Sequence, residues 1–319
     1  MIEIVAGVDI GGTNTVVGLV SKTGDLLAEK SFSSRNHSHF NSYIDVLSLE
    51  INSLLKQIGG ENTLKGVGIG APNGSYGMGA IVDAPNLEWK GTLPICKEIT
   101  NRFSVPAVVT NDANAAALGE MLFGGAIGMK DFIVITLGTG LGSGIVANGN
   151  LVIGHDGFAG EFGHTIVEIN GRVCGCGNKG CLETYASATG IRRTISMLLA
   201  QSNQPSVFRS ISPEKLSAKM ITDAALKNDP IAIEAFEYTG RILGIKLAEA
   251  VTIFSPEAIF LFGGLAKSGS LIIEPTKRYM EEYMFPIFRN KVKLLPSALE
   301  GKNAAVLGAA ALIWKEIKG

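Results

Sequence analysis

The pattern of apolar and polar residues predicts an α/β protein, because short β-branched stretches alternate with longer segments of helical period. Residues 2–10 form the first apolar stretch, and two glycines separate it from a second at 15–20, which predicts a β-hairpin. Further strands are predicted at 26–32, 67–71, 105–110, 258–262 and 292–294. Helices are predicted at 42–58, 93–103, 188–199, 213–227, 231–253, 272–283 and from 303 onwards, with an alanine-rich helix after 112 and a loop at 201–212.

A second glycine-rich hairpin is predicted at 133–146, where the design of apolar strand, glycine and threonine turn, and apolar strand is repeated. Glycine leaves the N–H groups of a turn unobstructed and Thr13 adds a hydroxyl, so such a turn can bind phosphate. Asp9, at the end of the first strand, can position Mg²⁺ through water. The alternative for the first turn alone is an ordinary hairpin whose aspartate accepts turn hydrogen bonds. Its repetition favours a duplicated architecture with a phosphate site in each half.

Composition and charge narrow the functional classes. A chain of 319 residues with 46% hydrophobic residues exceeds one ordinary core, so two domains are expected. The net charge of -1 argues against a nucleic-acid surface. The N-terminus enters a strand pattern with an acidic third residue, and apolar runs such as 304–313 are too short to span a bilayer. We therefore expect no leader and no membrane segment, and a reducing, cytoplasmic location.

Three of the four cysteines lie within eight residues, at Cys174, Cys176 and Cys181, and His164 precedes the first by ten positions. Thiolate and imidazole ligands suit Zn²⁺, and four of them complete a tetrahedron with no open position, as in structural zinc sites. A tight turn of small residues and a disulfide are the alternatives. A reducing compartment favours the metal over the disulfide.

Carboxylates flank this ligand set and also follow a predicted strand. Glu161 lies three positions before His164 and Glu183 two positions after Cys181, so a bound metal would draw two acceptors for sugar hydroxyls together. Asn111 and Asp112 follow the strand 105–110, where open α/β sheets place ligands. The alternative for this pair is that they simply cap the next helix.

Taken in order, the motifs resemble those of the ROK (repressor, open reading frame, kinase) family of sugar kinases, most closely its glucokinases. The resemblance covers essentially the whole chain, and its most specific part is the cysteine block from Cys174 to Glu183. The motifs that carry it are Asp9-Ile10-Gly11-Gly12-Thr13, Asn86, Asn111-Asp112, Leu137-Gly138-Thr139-Gly140-Leu141-Gly142, Glu161-Phe162-Gly163-His164 and Cys174-Gly175-Cys176-Gly177-Asn178-Lys179-Gly180-Cys181-Leu182-Glu183.

The resemblance implies a two-lobed actin-like and hexokinase-like α/β fold, in which ATP and a sugar bind in a cleft between the lobes. One lobe would comprise residues 1–112 and 303–319, and the other residues 113–302. The resemblance also implies a homodimer or higher homo-oligomer and the cofactors ATP, Mg²⁺ and structural Zn²⁺.

The resemblance further implies residue roles. Asp112 would be the general base. The sugar contacts would come from Asn86, Asn111, Asp112, Glu161, His164 and Glu183. Zinc would be bound by His164, Cys174, Cys176 and Cys181. The nucleotide would be bound by Asp9, Gly11, Gly12, Thr13, Asn14, Gly138, Thr139, Gly140, Gly142, Gly263 and Gly264.

Two positions depart from the family pattern. Lysine often follows the Gly-Gly-Thr turn, whereas this chain has Asn14, and glycine often stands where this chain has Asn73. The first departure removes a positive charge near the phosphates, and the second alters a loop near the sugar.

The leading hypothesis is therefore ATP-dependent phosphorylation of glucose to glucose 6-phosphate. The nearest alternative is the same reaction on N-acetylglucosamine, N-acetylmannosamine, mannose or fructose. A different class is a sugar-responsive transcriptional regulator, because the family includes repressors with a DNA-binding domain before the first hairpin. Asp9 leaves no room for such a domain here and the charge is not basic, so we expect a small-molecule sugar as partner, with no nucleic acid and no membrane.

Overall fold

The computed structural model describes residues 2–59, 62–299 and 303–317. Its strands are β1 (Ile2–Ile10), β2 (Asn14–Ser21), β3 (Leu26–Ser33), β4 (Asn62–Gly70), β5 (Gly74–Ser75), β6 (Ala80–Val82), β7 (Thr92–Leu93), β8 (Ala107–Thr110), β9 (Phe132–Leu137), β10 (Leu141–Ala147), β11 (Asn150–Leu151), β12 (Ala258–Phe262) and β13 (Lys293–Pro296). Its α-helices are α1 (Phe40–Ile58), α2 (Ile95–Phe103), α3 (Asp112–Phe123), α4 (Ala188–Gln201), α5 (Ala218–Ala225), α6 (Pro230–Phe254), α7 (Ser270–Tyr283) and α8 (Ala304–Glu316).

The chain folds into two compact units. Unit 1 comprises Met1–Met129, Leu151–Ala159 and Ala298–Gly319, and unit 2 comprises Lys130–Asn150 and Gly160–Ser297. None of the helices within the described residues is both long and apolar enough to cross a membrane.

Unit 1 is built on a five-stranded sheet in the order β3-β2-β1-β4-β8. The three strands β3, β2 and β1 are antiparallel neighbours, whereas β1, β4 and β8 run parallel. Helix α1 covers one face with its buried stripe, which includes Tyr43, Leu47 and Leu54. Because parallel strands end at the same edge of a sheet, the chain segments after β1, β4 and β8 emerge close together.

Helix α8 packs unusually close to this sheet. Gly7 and Gly68 are paired across β1 and β4, and a Cβ atom built on Gly68 would lie 1.8 Å from the carbonyl oxygen of Ala309. A Cβ atom on Gly7 would lie 2.2 Å from the carbonyl oxygen of Val306. Only glycine therefore fits at these positions, since any side chain would push the backbone of α8 away. The C-terminal helix thus packs on the sheet of unit 1.

Unit 2 repeats the arrangement with a sheet in the order β11-β10-β9-β12-β13. Strands β9 and β10 form an antiparallel hairpin, and β12 and β13 extend β9 in parallel. Helices α6 and α7 pack closely because Gly240 and Gly244 of α6 face Pro275 and Thr276 of α7.

The helix predicted at 213–227 is wrong in its extent. The structure has a single 3₁₀ turn at Pro213–Lys215, and α5 begins only after Ser217, whose side chain accepts a hydrogen bond from the backbone N–H of Met220 at 3.2 Å. A serine cap starts a new helix and so interrupts the predicted one. The predicted loop at 201–212 similarly contains a 3₁₀ turn at Val207–Ser210.

Unit 1 holds more of the chain than the lobe that the resemblance implied, and unit 2 holds less. Helix α3 follows the expected boundary at 112 yet belongs to unit 1, because its Ala115 and Gly119 pack directly on Gly308 of α8. Residues 1, 302 and 319, which bound the expected segments, lie outside the described residues.

Candidate functional site

In unit 1, the predicted site residues converge at the carboxyl edge of the sheet. Asp9 of β1 is paired with Gly70 of β4, and Gly70 is paired with Thr110 of β8. Asn111 and Asp112 follow Thr110 directly. The register of three parallel strands therefore brings the first phosphate hairpin and the Asn111-Asp112 pair to one edge.

The first hairpin turn contacts the loop that carries Asn86. The N–H of Gly11 donates to the carbonyl oxygen of Asn14 at 2.9 Å, which closes the turn. A Cβ atom on Gly12 would lie 2.6 Å from the carbonyl oxygen of Asn86, so glycine is required for this close approach. Thr13 and Asn14 are exposed at the tip. The turn thus keeps accessible polar groups beside an exposed amide side chain.

Asn111 and Asp112 lie at the start of α3 and differ in their contacts. The side-chain oxygen of Asn111 accepts a hydrogen bond from the backbone N–H of Asn114 at 2.8 Å and caps α3. The capping alternative is therefore right for Asn111. Asp112 is the first residue of the helix, and its side chain is exposed. Its carboxylate is accessible from solvent.

Among the carboxylates of unit 1 that the structure describes, that of Asp9 has a clearly raised pKa. Burial, and secondarily the negative charge of Asp112, raise the pKa of Asp9 from 3.8 to about 6. Between these two pH values the folded chain holds a proton that the unfolded chain releases, so stability decreases as the pH rises through that window. Above pH 6 the ionised carboxylate costs at most about 3 kcal/mol.

We therefore expect Asp9→Asn to raise the free energy of unfolding, by about 3 kcal/mol at pH 8 and about half of that at pH 5. The amide has nearly the same shape and stays neutral at both values. Urea unfolding at the two pH values measures the difference. An equal change in the free energy of unfolding at pH 5 and pH 8 would show that ionisation of Asp9 does not destabilise the fold.

Asn73 explains one departure from the family pattern. Its backbone has a φ of 51°, in the left-handed region that glycine adopts readily and asparagine tolerates. Its side-chain NH₂ donates to the carbonyl oxygen of Val82 at 3.0 Å and so ties the ends of the β5 to β6 hairpin together. Asparagine thus keeps the backbone conformation and adds a hydrogen bond.

In unit 2, the turn of the second hairpin lies against Glu183 and Gly263. The carboxylate of Glu183 accepts a hydrogen bond from the backbone N–H of Leu141 at 3.1 Å, and a Cβ atom on Gly140 would lie 2.2 Å from its Oε2. Gly263 has a φ of 101° and lies against Leu137, where the turn begins. The N–H of Leu265 then donates to the carbonyl oxygen of Leu137 at 3.0 Å.

The remaining nucleotide candidates of this unit are accessible. At Gly138 and Gly264 no atom lies within 4 Å of the position that a Cβ would occupy, and Thr139 is exposed. The N–H of Gly142 donates to the side-chain oxygen of Thr136 at 3.1 Å. The structure thus brings the second hairpin and the Gly263-Gly264 pair together.

His164, Cys174, Cys176 and Cys181 converge on one point, with one ligand atom of each within 4.8 Å of all the others. The Sγ atoms of Cys176 and Cys181 lie 3.7 Å apart, and so do Sγ of Cys174 and Nδ1 of His164. Sulfur ligands about 2.3 Å from a tetrahedral ion are about 3.8 Å apart, so the set fits a four-coordinate metal. The same separation is far too long for a disulfide.

The three cysteines of the cluster differ in the direction in which their pKa values are shifted. The backbone N–H of Asn178 lowers the pKa of the Cys176 thiol, whereas burial raises the pKa of Cys174 and of Cys181. Two thiols are therefore held neutral until a cation replaces their protons.

The loop that carries the cysteines is fastened to α4 by two arginines. The half-buried guanidinium of Arg172 donates to the carbonyl oxygens of Thr184 and Gly190 and lies 4.4 Å from the ring centre of Tyr185. Arg193 of α4 donates to the carbonyl oxygen of Val173 at 2.8 Å. Sequence reasoning missed both arginines, because their partners are carbonyl groups that the sequence does not mark.

The two flanking carboxylates lie beside the ligand set. Nε2 of His164 is 3.8 Å from Glu161, on the side of the ring opposite the cysteines. The thiol of Cys174 donates to Oε1 of Glu183 at 3.6 Å. Outer carboxylates of this kind orient metal ligands. The structure therefore brings Glu161, His164 and Glu183 together with the cysteines inside unit 2.

Comparisons with known proteins place these features in context. The sequence model of the ROK family matches residues 5–316. The chain is 36% identical over 315 residues to the glucokinase of Thermotoga maritima and covers 98% of both chains. It is similar to the structure of a ROK family glucokinase from Streptomyces griseus in complex with glucose and AMPPNP, with 33% identity, a TM-score of 0.79 and coverage of 97% and 98%.

The chain is also similar to the structure of a ROK family transcriptional regulator, a homologue of the E. coli MLC protein. The identity is 28% and the TM-score 0.86, over 98% of this chain and 78% of that one. The predicted resemblance and the predicted fold class are both confirmed by these comparisons. Because the same fold serves kinases and regulators, the activity has to be argued from the site.

Proposed function

The chain belongs to the ROK family, and we propose that it is an ATP-dependent sugar kinase that converts glucose to glucose 6-phosphate. The observation that carries this proposal is the exposed carboxylate of Asp112, at the same sheet edge as a glycine turn suited to phosphate. The similarity to a glucokinase whose structure holds glucose and AMPPNP, an ATP analogue, supports both substrates.

The reaction needs a base for one proton. A sugar hydroxyl is a weak nucleophile, and phosphoryl transfer is promoted mainly by alignment and charge neutralisation. Asp112 accepts the hydroxyl proton while the sugar oxygen bonds to the γ-phosphorus and the bond from that phosphorus to the bridging oxygen of ADP breaks. The products are the sugar phosphate, ADP and a proton held by the carboxylate.

The glycine turns hold the phosphates. Backbone N–H groups at Gly11 to Asn14 and at Gly138 to Gly142 donate to phosphate oxygens, and Gly263-Gly264 flank the adenosine. Mg²⁺, when bound, neutralises phosphate charge, and Asp9 is suited to position it through water. A bound cation also removes the charge penalty that burial imposes on Asp9.

We assign the sugar contacts to six side chains, which are those of Asn86, Asn111, Asp112, Glu161, His164 and Glu183. Amide and carboxylate groups pair with ring hydroxyls, and a site that leaves one of them unpaired rejects the wrong sugar strongly.

We assign Zn²⁺ to the set of His164 and the three cysteines, where it would have a structural role. The four donors leave no open coordination position, so the ion holds the loop and the adjoining Glu161 and Glu183 in place.

Replacing Cys176 with serine is expected to release the zinc and to raise KM for glucose about tenfold, because Glu183 then lies on a looser loop. Cys176 is exposed, so the change leaves the core intact. Metal analysis of the purified protein, with about one zinc per wild-type chain, is the primary readout. Cys96→Ala, at the cysteine outside the cluster, is the matched control and should retain its zinc. A wild-type chain without zinc would end this assignment.

A coupled ADP-release assay tests the activity and the substrate together. We expect kcat/KM for glucose to exceed that for N-acetylglucosamine, N-acetylmannosamine, mannose and fructose by at least about tenfold. A higher value for one of these sugars would keep the kinase and change its substrate.

The similarity to a transcriptional regulator supports a second candidate, a sugar-responsive regulator without kinase activity. That function predicts sugar binding, seen as a rise in the melting temperature, with no ADP release for any sugar in the panel. We also propose a cytoplasmic homodimer or larger homo-oligomer, which light scattering after size-exclusion chromatography tests.

A further inference from the structure

Lys90 lies at the centre of a cluster of backbone carbonyl groups. Its Nζ donates to the carbonyl oxygens of Ala84 at 2.9 Å, Pro85 at 3.3 Å and Leu87 at 2.9 Å. An ammonium group has three N–H donors, so these three carbonyls use all of them. The three acceptors lie on both sides of Asn86 in the chain. The backbone of the loop 84–90 thus surrounds the ammonium group of Lys90, its last residue.

The rest of this loop, residues 84–90, is fixed at two other places. Ala84, Leu87 and Trp89 are buried in the core of unit 1. The backbone of Asn86 itself lies against Gly12 of the phosphate hairpin. Buried and exposed residues therefore alternate from Leu87 to Lys90, and the exposed Lys90 adds a polar contact after the last apolar anchor, Trp89.

The carbonyl environment of Lys90 sets it apart from an ordinary surface lysine. Among the described residues, no acidic side chain forms an ion pair with it. Its charge is balanced by carbonyl dipoles that all point at one position. Without the cation these dipoles would repel one another, and the loop would relax.

We propose that Lys90 is a positioning residue for sugar recognition, which fixes the loop so that the side chain of Asn86 faces the substrate. The inference rests on the proposed function, because it takes Asn86 as a sugar contact. A group held in place before binding contributes more affinity than one that must be ordered on binding.

The test is the affinity of the full-length protein for glucose, measured by calorimetry, together with steady-state kinetics. Lys90→Met keeps the apolar stem and removes the ammonium. We expect it to raise Kd and KM for glucose about tenfold, with kcat and KM for ATP within about twofold of the wild type. Lys97→Met, at an exposed lysine of α2, is the matched control and should change none of these.

Chemical rescue separates positioning from general stabilisation. In Lys90→Ala, ammonium or methylammonium ions at tens of millimolar should lower Kd for glucose again, since the three carbonyls can bind a small cation. The same ions should leave the wild type and Lys97→Met unchanged. A merely structural role predicts a lower melting temperature and no rescue.

Each outcome bears on the inference. An unchanged Kd for glucose in Lys90→Met overturns it. A rise in KM for ATP as large as the rise in KM for glucose also overturns it, because the charge of Lys90 would then act on the phosphates. A wild-type chain that binds glucose without turnover refutes the proposed kinase, while the ratio of Kd values still tests Lys90. If the wild type neither binds nor phosphorylates any sugar of the panel, both proposals fall.

Discussion

Asp112→Asn is expected to lower kcat by about 10²- to 10⁴-fold, because the amide cannot accept the proton of the attacking hydroxyl. The side chain is exposed at the start of α3, and the helix is capped by Asn111, so the exchange should leave the fold intact. Glucose affinity should change by less than about threefold, since an amide can still accept a hydrogen bond from a hydroxyl. A loss confined to kcat marks a group that acts in the transition state.

The kinetics of this variant are measured by ADP release at saturating glucose and ATP, and its glucose affinity by calorimetry. Asp45→Asn is a suitable control, because Asp45 is an exposed aspartate of α1 whose carboxylate pairs with Arg102 and which has no assigned role in the site. If Asp112→Asn keeps the kcat of the wild type, Asp112 is not the base and the proposed mechanism is wrong.

The regular parts of the fold could be predicted from the sequence because they carry strong periodicity. The strand at Ala258–Phe262 was predicted with its observed bounds, and helix α6 within one residue at either end. Both are long or strongly apolar segments bounded by turn residues. The small sheet of β5, β6 and β7 was not predicted, since its strands are two or three residues long and show no period.

The boundary of unit 1 illustrates a different limit. Helix α3 belongs with α8 because small residues at Ala115, Gly119 and Gly308 allow their backbones to touch. The two segments are distant in sequence, and an alanine-rich stretch indicates a helix without indicating its partner. Packing partners of this kind follow from the tertiary fold and not from local propensity.

In the candidate site, the parts that could be predicted are those determined by side-chain chemistry. The spacing of one histidine and three cysteines predicted a common ligand set, and the structure brings their ligand atoms together. Contacts to the backbone could not be predicted. The carboxylate of Glu183 binds the N–H of Leu141, and the ammonium of Lys90 binds three carbonyls, although neither backbone partner differs chemically from any other.

Gly68→Ala should strongly destabilise unit 1, with a loss of at least about 3 kcal/mol in the free energy of unfolding. The added Cβ would lie 1.8 Å from the carbonyl oxygen of Ala309, which is backbone and cannot rotate away. Gly77→Ala is the matched control, because nothing lies within 4 Å of a Cβ at that position. It should change stability by less than about 0.5 kcal/mol.

Urea unfolding followed by tryptophan fluorescence measures this difference well. Trp314 lies on α8 itself, is 2% exposed and donates its indole N–H to the carbonyl oxygen of Ser21 at 3.2 Å. Equal midpoints for the Gly68 and Gly77 variants would contradict the close packing of α8.

A displacement of α8 in Gly68→Ala should also reach the site, because α8 contacts β1, β4 and α3. Asp9 is the penultimate residue of β1 and Asp112 is the first residue of α3. The fraction of Gly68→Ala that still folds should therefore show a reduced kcat, whereas Gly77→Ala should not.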